Sequence, residues 1–262
     1  MKMALLIPRD WMMIVGLLCI VGLTPRVSQA EGGGLSLSQT RVVFKGMAKS
    51  AKVTLNNQSD RVYLINSRVL PTPDATRQFT ETMPFMVTPP LFRLEKESRN
   101  TVLIAKNDTS KLPTDRESVF YLSFLAIPAV SNPREVNTEA DEGMTTTQVS
   151  LGIRTVIKLF YRPSGLAMPA TAAPEKLTFA QYGTQLTVKN PTPYYVTLAQ
   201  LTLDGRAVNV REQGAMIAPF SEEVYAVNGA IAKQIHWSVI TEFGGVSELF
   251  RCFAVSLVPV RG

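Results

Sequence analysis

An all-β protein of two sandwich domains is the fold class predicted by the 262-residue sequence. Three observations lead there. Short apolar-alternating runs are separated by clusters of Gly, Pro, Asn and Asp, the spacing of strands and turns. Helical periods are scarce. The pattern then starts again after Pro163-Ser164-Gly165, so the roughly 230 residues that follow an export leader suit two ordinary domains.

The leader comes first. Lys2 and Arg9 supply positive charge, residues 11–23 are apolar, and Ser28-Gln29-Ala30 offers small residues for cleavage. Asp10 and Pro25-Arg26 close the apolar run short of the roughly 20 residues that a spanning helix needs. Residues 1–30 are therefore expected to be a signal peptide on an exported chain that makes no stable membrane insertion. Glu31-Gly32-Gly33-Gly34 reads as a flexible start.

In the first domain, 31–162, strands are expected at 35–44, 51–55, 62–70, 85–87, 92–94, 100–105 and 119–127. Lys45-Gly46, the polar cluster at 56–60 and Pro71-Thr72-Pro73-Asp74 punctuate them. A polar acidic loop at 128–147 carries Glu135, Glu139, Asp141 and Glu142. A structureless loop of that length is either functional or a solvated insertion. It leads into Val149-Ser150-Leu151-Gly152-Ile153, where alternation sets Val149, Leu151 and Ile153 on one face of a strand that continues through Ile157 to Arg162. Such a strand is either buried in its own sheet or an edge kept for another protein.

In the second domain, 163–262, strands are expected at 176–180, 183–189, 194–203, 207–210, 222–226, 234–240 and 248–257. Residues 168–173 are Ala-rich, but Pro169 and Pro174 make them a loop. No repeat between the halves is strong enough to read as duplication.

The formal net charge is +6, and removing the leader's three cations and one anion leaves +4, a weak indicator of any partner. No dense Lys/Arg block with interleaved aromatics occurs, which argues against nucleic acid. Of the two cysteines, Cys19 leaves with the leader and Cys252 has no internal partner. The single histidine, His236, sits in a strand-like run and reads as structural; with one Cys beside it no usual zinc set can be assembled. There is no Gly-x-Ser-x-Gly elbow and no phosphate-cradling loop. No catalytic residue, metal or cofactor is therefore expected. Two cations in apolar strands, Arg41 and Lys158, either face solvent or meet in a cleft as an anion site suited to a carboxylate.

Five segments, in this order, carry a family resemblance. They are Leu37-Ser38-Gln39-Thr40-Arg41-Val42-Val43-Phe44; Val87-Thr88-Pro89-Pro90-Leu91-Phe92-Arg93-Leu94; residues 112–121; residues 157–163; and Asn190-Pro191-Thr192-Pro193-Tyr194-Tyr195-Val196-Thr197. The chain resembles the PapD-like periplasmic chaperones of the chaperone–usher pilus pathway over about residues 35–255. The resemblance implies two immunoglobulin-like sandwiches in an L with a cleft between them. It implies a periplasmic, non-enzymatic chaperone that folds and caps fimbrial subunits and hands them to an outer-membrane usher. Val149, Leu151 and Ile153 would complete the subunit's sandwich, the donor-strand form of β-augmentation. Arg41 and Lys158 would hold the subunit's C-terminal carboxylate and fix the register. Because Lys158 has the opposite parity to the donor residues, a bulge or a different cleft geometry must aim it.

Glu117, Arg162 and Glu242 are similarly expected to form an inter-domain ionic cluster, and Leu64, Thr88, Pro89 and Ile127 the usher contact. Relatives pair Pro89 with a second proline where Val62 stands. A self-capping homodimer is compatible with the pattern. Two other classes are weighed against this one. A pilus subunit would show an incomplete sandwich and usually a Cys pair. A secreted carbohydrate-binding protein would want paired carboxylates or an aromatic platform, and Trp237 is the one tryptophan beyond the leader.

Overall fold

Alternating apolar residues dictate the layers of the computed structural model, which describes residues 34–75, 82–129, 151–229, 231–253 and 255–256. The expected signal peptide, the acidic loop beyond Ala129 and Val149 lie outside the described residues. Nine strands are described up to Arg162: β1 (Leu35–Leu37), β2 (Arg41–Lys45), β3 (Ser50–Asn57), β4 (Tyr63–Leu70), β5 (Phe85–Thr88), β6 (Leu91–Leu94), β7 (Ser98–Lys106), β8 (Ser118–Pro128) and β9 (Ile153–Arg162). They form two facing sheets, ordered β1-β3-β7-β5 and β2-β9-β8-β4-β6. Between them Phe44, Val53, Ile65, Val102, Leu122 and Leu159 are wholly buried. The Phe85 ring packs at a tilt against Phe44 at 5.0 Å and against Tyr161 at 5.6 Å.

The single strand expected at 35–44 is two strands in different sheets. Leu35 and Leu37 face inward from β1, whereas Val42 and Phe44 do so from β2, so the inward parity changes between them. Ser38-Gln39-Thr40 makes the crossing. Ser38 still donates its N–H to the Thr54 carbonyl, after which the chain leaves β3 and pairs in parallel with β9. Three polar residues in a row can take that step without exposing apolar surface.

The second set is β10 (Thr178–Tyr182), β11 (Gln185–Asn190), β12 (Val196–Leu203), β13 (Arg206–Ala207), β14 (Met216–Ile217), β15 (Ser221–Ala226), β16 (Gln234–Val239), β17 (Phe250–Phe253) and β18 (Val255–Ser256). The sheets run β15-β11-β10-β18 and β13-β12-β16-β17, with β14 also on β12. Their core centres on Leu186, Val188, Leu201, Ile217, Tyr225 and Ile235, with Trp237 against Phe179 at 4.6 Å. No described sheet mixes strands from the two sets.

Several local expectations are corrected. Residues Ala170–Lys176 form a 3₁₀ helix, not a loop: Pro169 stands just outside it, and a tight turn this short tolerates the missing N–H of Pro174. The strand expected at 207–210 is only β13, followed by one helical turn, α1 (Val210–Gln213). Lys176, Leu177, Glu248 and Leu249 are not in strands, and β14 had no expectation. Among the described residues no helix is long and apolar enough to cross a membrane.

One local device occurs twice. Buried Asn57 donates to the carbonyls of Arg61 and Glu95 and accepts from the Ser59 N–H and hydroxyl. Buried Asn190 does the same with Tyr194, Ala218 and Thr192. Asn-x-Ser/Thr at the end of a strand thus satisfies the turn carbonyls from inside. The second copy fixes the backbone of 190–195, which bears directly on the site.

Candidate functional site

β9 is built in two halves. Along 153–161 it pairs with β8 in an unbroken antiparallel register, Ile153 opposite Ala126 and Tyr161 opposite Ser118. On its other side β2 pairs only with the second half, Arg41 opposite Lys158 through Lys45 opposite Arg162. Residues 153–157 therefore have, among the described strands, a neighbour on one side only. Their exposure changes along the strand: Leu151 is 76% and Ile153 55% exposed, whereas Ile157 is 7% exposed and belongs to the core. A groove of about 380 Å3 runs beside this free edge, lined by Leu35, Leu37, Phe124, Ile153, Thr155 and Ile157. An apolar face beside unpaired backbone groups is the arrangement into which another strand adds.

The opposite parity of Lys158 needs no bulge, contrary to one expectation. Ile157, Leu159 and Tyr161 turn to the core, while Lys158, Phe160 and Arg162 turn to the other face of the same sheet. There Arg41 lies across from Lys158 in the parallel register, so the fold brings the two cations together. The Arg41 guanidinium lies 5.9 Å from the Phe160 ring centroid and donates through Nη1 to the Ile240 carbonyl at 3.4 Å. Phe160 in turn packs at a tilt against Tyr195, ring centroids 5.6 Å apart. Among the described residues neither cation forms a salt bridge, and Arg41 Nε is buried without a hydrogen-bond partner.

That placement shows in the electrostatics. Burial pulls the Lys158 ammonium below the ordinary lysine range, and the positive charge of Arg41 pulls it further. Burial likewise lowers Arg41. Two desolvated like charges disfavour the charged forms and would welcome an anion. The folded-state pKa of Lys158 is below its unfolded value. Its contribution to stability is therefore present above the unfolded pKa and lost as pH falls through the folded one. At neutral pH the charge is a net cost to the free protein. Because solvent screens this part-exposed charge, Lys158→Met is expected to stabilise it by less than about 1 kcal/mol, no more than about 2–4 °C in Tm. Thermal unfolding at pH 7 and above pH 10 measures the gain, which should shrink at the higher pH.

Glu117, Arg162 and Glu242 are also brought together. Arg162 Nε donates to Glu117 Oε1 at 2.7 Å, and its Nη1 donates to Glu242 Oε1. The same guanidinium lies 5.0 Å from the Tyr194 ring centroid. Glu117 is 4% exposed; its Oε2 accepts from the Tyr195 N–H at 2.9 Å, and its own N–H donates to the Pro193 carbonyl. Burial pushes the Glu117 carboxyl up, against the opposing pull of Arg162 and the Tyr195 N–H. Burial also works against the charge on Arg162, but Glu117 first and then Glu242 outweigh it and hold Arg162 protonated. The cluster thus joins the start of β8 and the end of β9 to the Pro193–Tyr195 loop and the turn after Ile240.

The remaining expected residues lie elsewhere. Leu64 on β4 pairs directly with Ile127 on β8, both about 40% exposed, and Thr88 and Pro89 lie exposed where β5 turns into β6. Cys252 is free and half-buried, and burial raises its thiol pKa. His236 lies on β16 between Thr202 and Arg251. Among the described residues no cluster of three or more His, Cys, Asp or Glu could hold a metal. The sequence reading missed Phe160, Tyr194, Tyr195 and the Ile240 carbonyl. The first was visible as an aromatic of the same parity as Lys158 and Arg162; a backbone carbonyl leaves no trace in a sequence.

Comparison with known proteins gives a consistent result. Residues 34–167 match the family described as "Pili and flagellar-assembly chaperone, PapD N-terminal domain", and residues 172–251 match "Pili assembly chaperone PapD, C-terminal domain". The probable fimbrial chaperone YadV of Escherichia coli K12 is 34% identical over 229 residues, covering 84% of this chain and 90% of the relative. The crystal structure of the E. coli chaperone DraB matches with a TM-score of 0.70 and 31% identity, over 85% of this chain and 97% of that one. A Salmonella enterica structure of the SafA pilin in complex with the SafB chaperone matches with a TM-score of 0.69 and 28% identity, over 84% and 96%.

Proposed function

Since the chain belongs to the PapD family of fimbrial chaperones, which are not enzymes, we propose that it binds, folds and caps fimbrial subunits in the periplasm by lending them the free edge of β9. Family membership sets aside the readings as a pilus subunit or a carbohydrate-binding protein. The signal peptide at 1–30 and the domain limits 31–162 and 163–262 remain part of this proposal.

One observation carries it. A single strand presents an open apolar edge on its inner face, and at the end of that edge presents a cation on its outer face beside a second cation, neither with a carboxylate partner among the described residues. Main-chain bonds along 153–157, with Val149 and Leu151 extending the stripe, supply affinity that tolerates different subunit sequences. The subunit's C-terminal carboxylate, held by Arg41 and Lys158, fixes how far it slides, because a slip of one residue reverses every side chain. The pairing of SafB with a pilin supports a subunit as the partner.

The apolar pair Leu64 and Ile127, with Thr88 and Pro89 at the end of the same sandwich, is the surface we assign to the outer-membrane usher. The ionic cluster of Glu117, Arg162 and Glu242 holds the two domains at the angle that keeps the cations in the cleft. An unoccupied free edge is also where a homodimer would cap itself. Co-expression with the neighbouring fimbrial genes and purification from the periplasm is expected to yield a one-to-one complex with a subunit. A chaperone recovered alone from cells that make the subunit would overturn the assignment.

A further inference from the structure

Arg41 is held from both sides of the elbow, and the contact on the second domain's side is made by a turn whose Gly244 packs closely against the first domain. Ile240 and Val246 form an antiparallel bridge, closed by Thr241 N–H to the Gly245 carbonyl and Gly244 N–H to the Thr241 carbonyl. This turn supplies two things at its base: the Ile240 carbonyl that receives Arg41, and Glu242 that receives Arg162. Just past the two central residues, Gly244 has φ +84° and lies so close to the crossing segment of the first domain that a Cβ there would run into Thr40 Oγ1. Thr40 immediately precedes Arg41. The left-handed backbone favours glycine at 244, and a Cβ there could enter only if the exposed Thr40 hydroxyl gave way.

We infer that Gly244 is a positioning residue for the carboxylate anchor: its seat against Thr40 sets the height of the turn over β2, and hence where Ile240 points the Arg41 guanidinium. This deepens the carboxylate reading above and rests on it. A side chain at 244 lifts the turn from Thr40. Arg41 then loses the carbonyl that aims it, and the anchor loses its fixed geometry while both cores remain intact.

The test uses two synthetic peptides copying the last dozen residues of the co-purified subunit, one ending in a free carboxylate and one in a carboxamide. The ratio of their affinities isolates the carboxylate's contribution from that of the strand. Gly244→Ala is expected to lower that ratio at least tenfold. Adding Thr40→Ala, which removes Oγ1, should restore most of it even though the backbone strain at 244 persists. Thr40→Met, which presses on the same contact from the other side without touching the turn's backbone, should lower it as well. Thermal unfolding confirms that each variant is folded. An unchanged ratio in folded Gly244→Ala or Thr40→Met, or no recovery in the double variant, would overturn the inference. Arg41→Ala and Lys158→Ala separate the two levels: if they too leave the ratio unchanged, the carboxylate reading itself falls.

Discussion

Arg41→Ala is expected to leave a folded chaperone that no longer retains its subunit. The side chain contributes little to the free fold. Its hydrogen bond to the Ile240 carbonyl is long at 3.4 Å, it has no carboxylate partner among the described residues, and burial works against its charge. Stability should therefore change by less than about 1 kcal/mol. In the complex the same group would meet a carboxylate in a desolvated cleft. Removing one member of such a pair costs roughly 2–5 kcal/mol, about 30- to several-thousand-fold in Kd. Lys158→Ala should act in the same direction. Lys52→Ala, which removes an exposed cation on β3, should have no effect. Yield of co-purified subunit, set beside Tm, reads both quantities. Full retention of the subunit by the Arg41 variant would remove the anchor assignment.

Leu151→Asp should be equally severe for binding and nearly silent for folding. Leu151 is 76% exposed in the free protein, so a carboxylate there stays solvated and costs the fold no more than about 0.5 kcal/mol. Seated in a subunit groove, the leucine is worth roughly 1.5–3 kcal/mol of burial, and an aspartate in its place would carry an unpaired charge into an apolar channel. Ile153→Asp should behave alike, being 55% exposed. Ile157→Asp marks the boundary of the argument. At 7% exposure Ile157 belongs to the first core, and its substitution should unfold the domain rather than merely block binding. A Leu151→Asp variant with undiminished complex yield would show that the stripe is not what the subunit takes.

Most of the strands were legible because alternation over four or more residues has one physical reading in a chain with few helical periods. The pairs at the site were only partly so. Arg41 and Lys158 stood out as cations in apolar runs, but sequence left open whether they faced water or each other. The parallel register of β2 on β9 decides that. The apparent conflict over Lys158's parity dissolved once the two faces of β9 proved to serve different surfaces. The sheet change between Leu37 and Val42 had a signal that went unread, the move of apolar residues from odd to even positions. The Asn-x-Thr segment at 190–192 carries part of the family resemblance, but nothing local in it reveals that its buried amide holds the loop that meets Glu117. The helical turn at 170–176 was missed because proline was taken to forbid what a 3₁₀ segment tolerates.

By itself the sequence determined the chemistry available: an oily stripe on one strand, two cations in apolar surroundings, and three further charges. Periodicity and composition act locally, and local rules suffice to assign each of these to a strand or a turn. Only the tertiary structure decided which of them meet. Strand register and the seating of one sandwich on the other join residues far apart in the chain, Arg41 to Lys158, Glu117 to Arg162 and Glu242, and Thr40 to Gly244. Those joins follow from the packing of two whole cores, to which every buried residue contributes and which no single segment encodes.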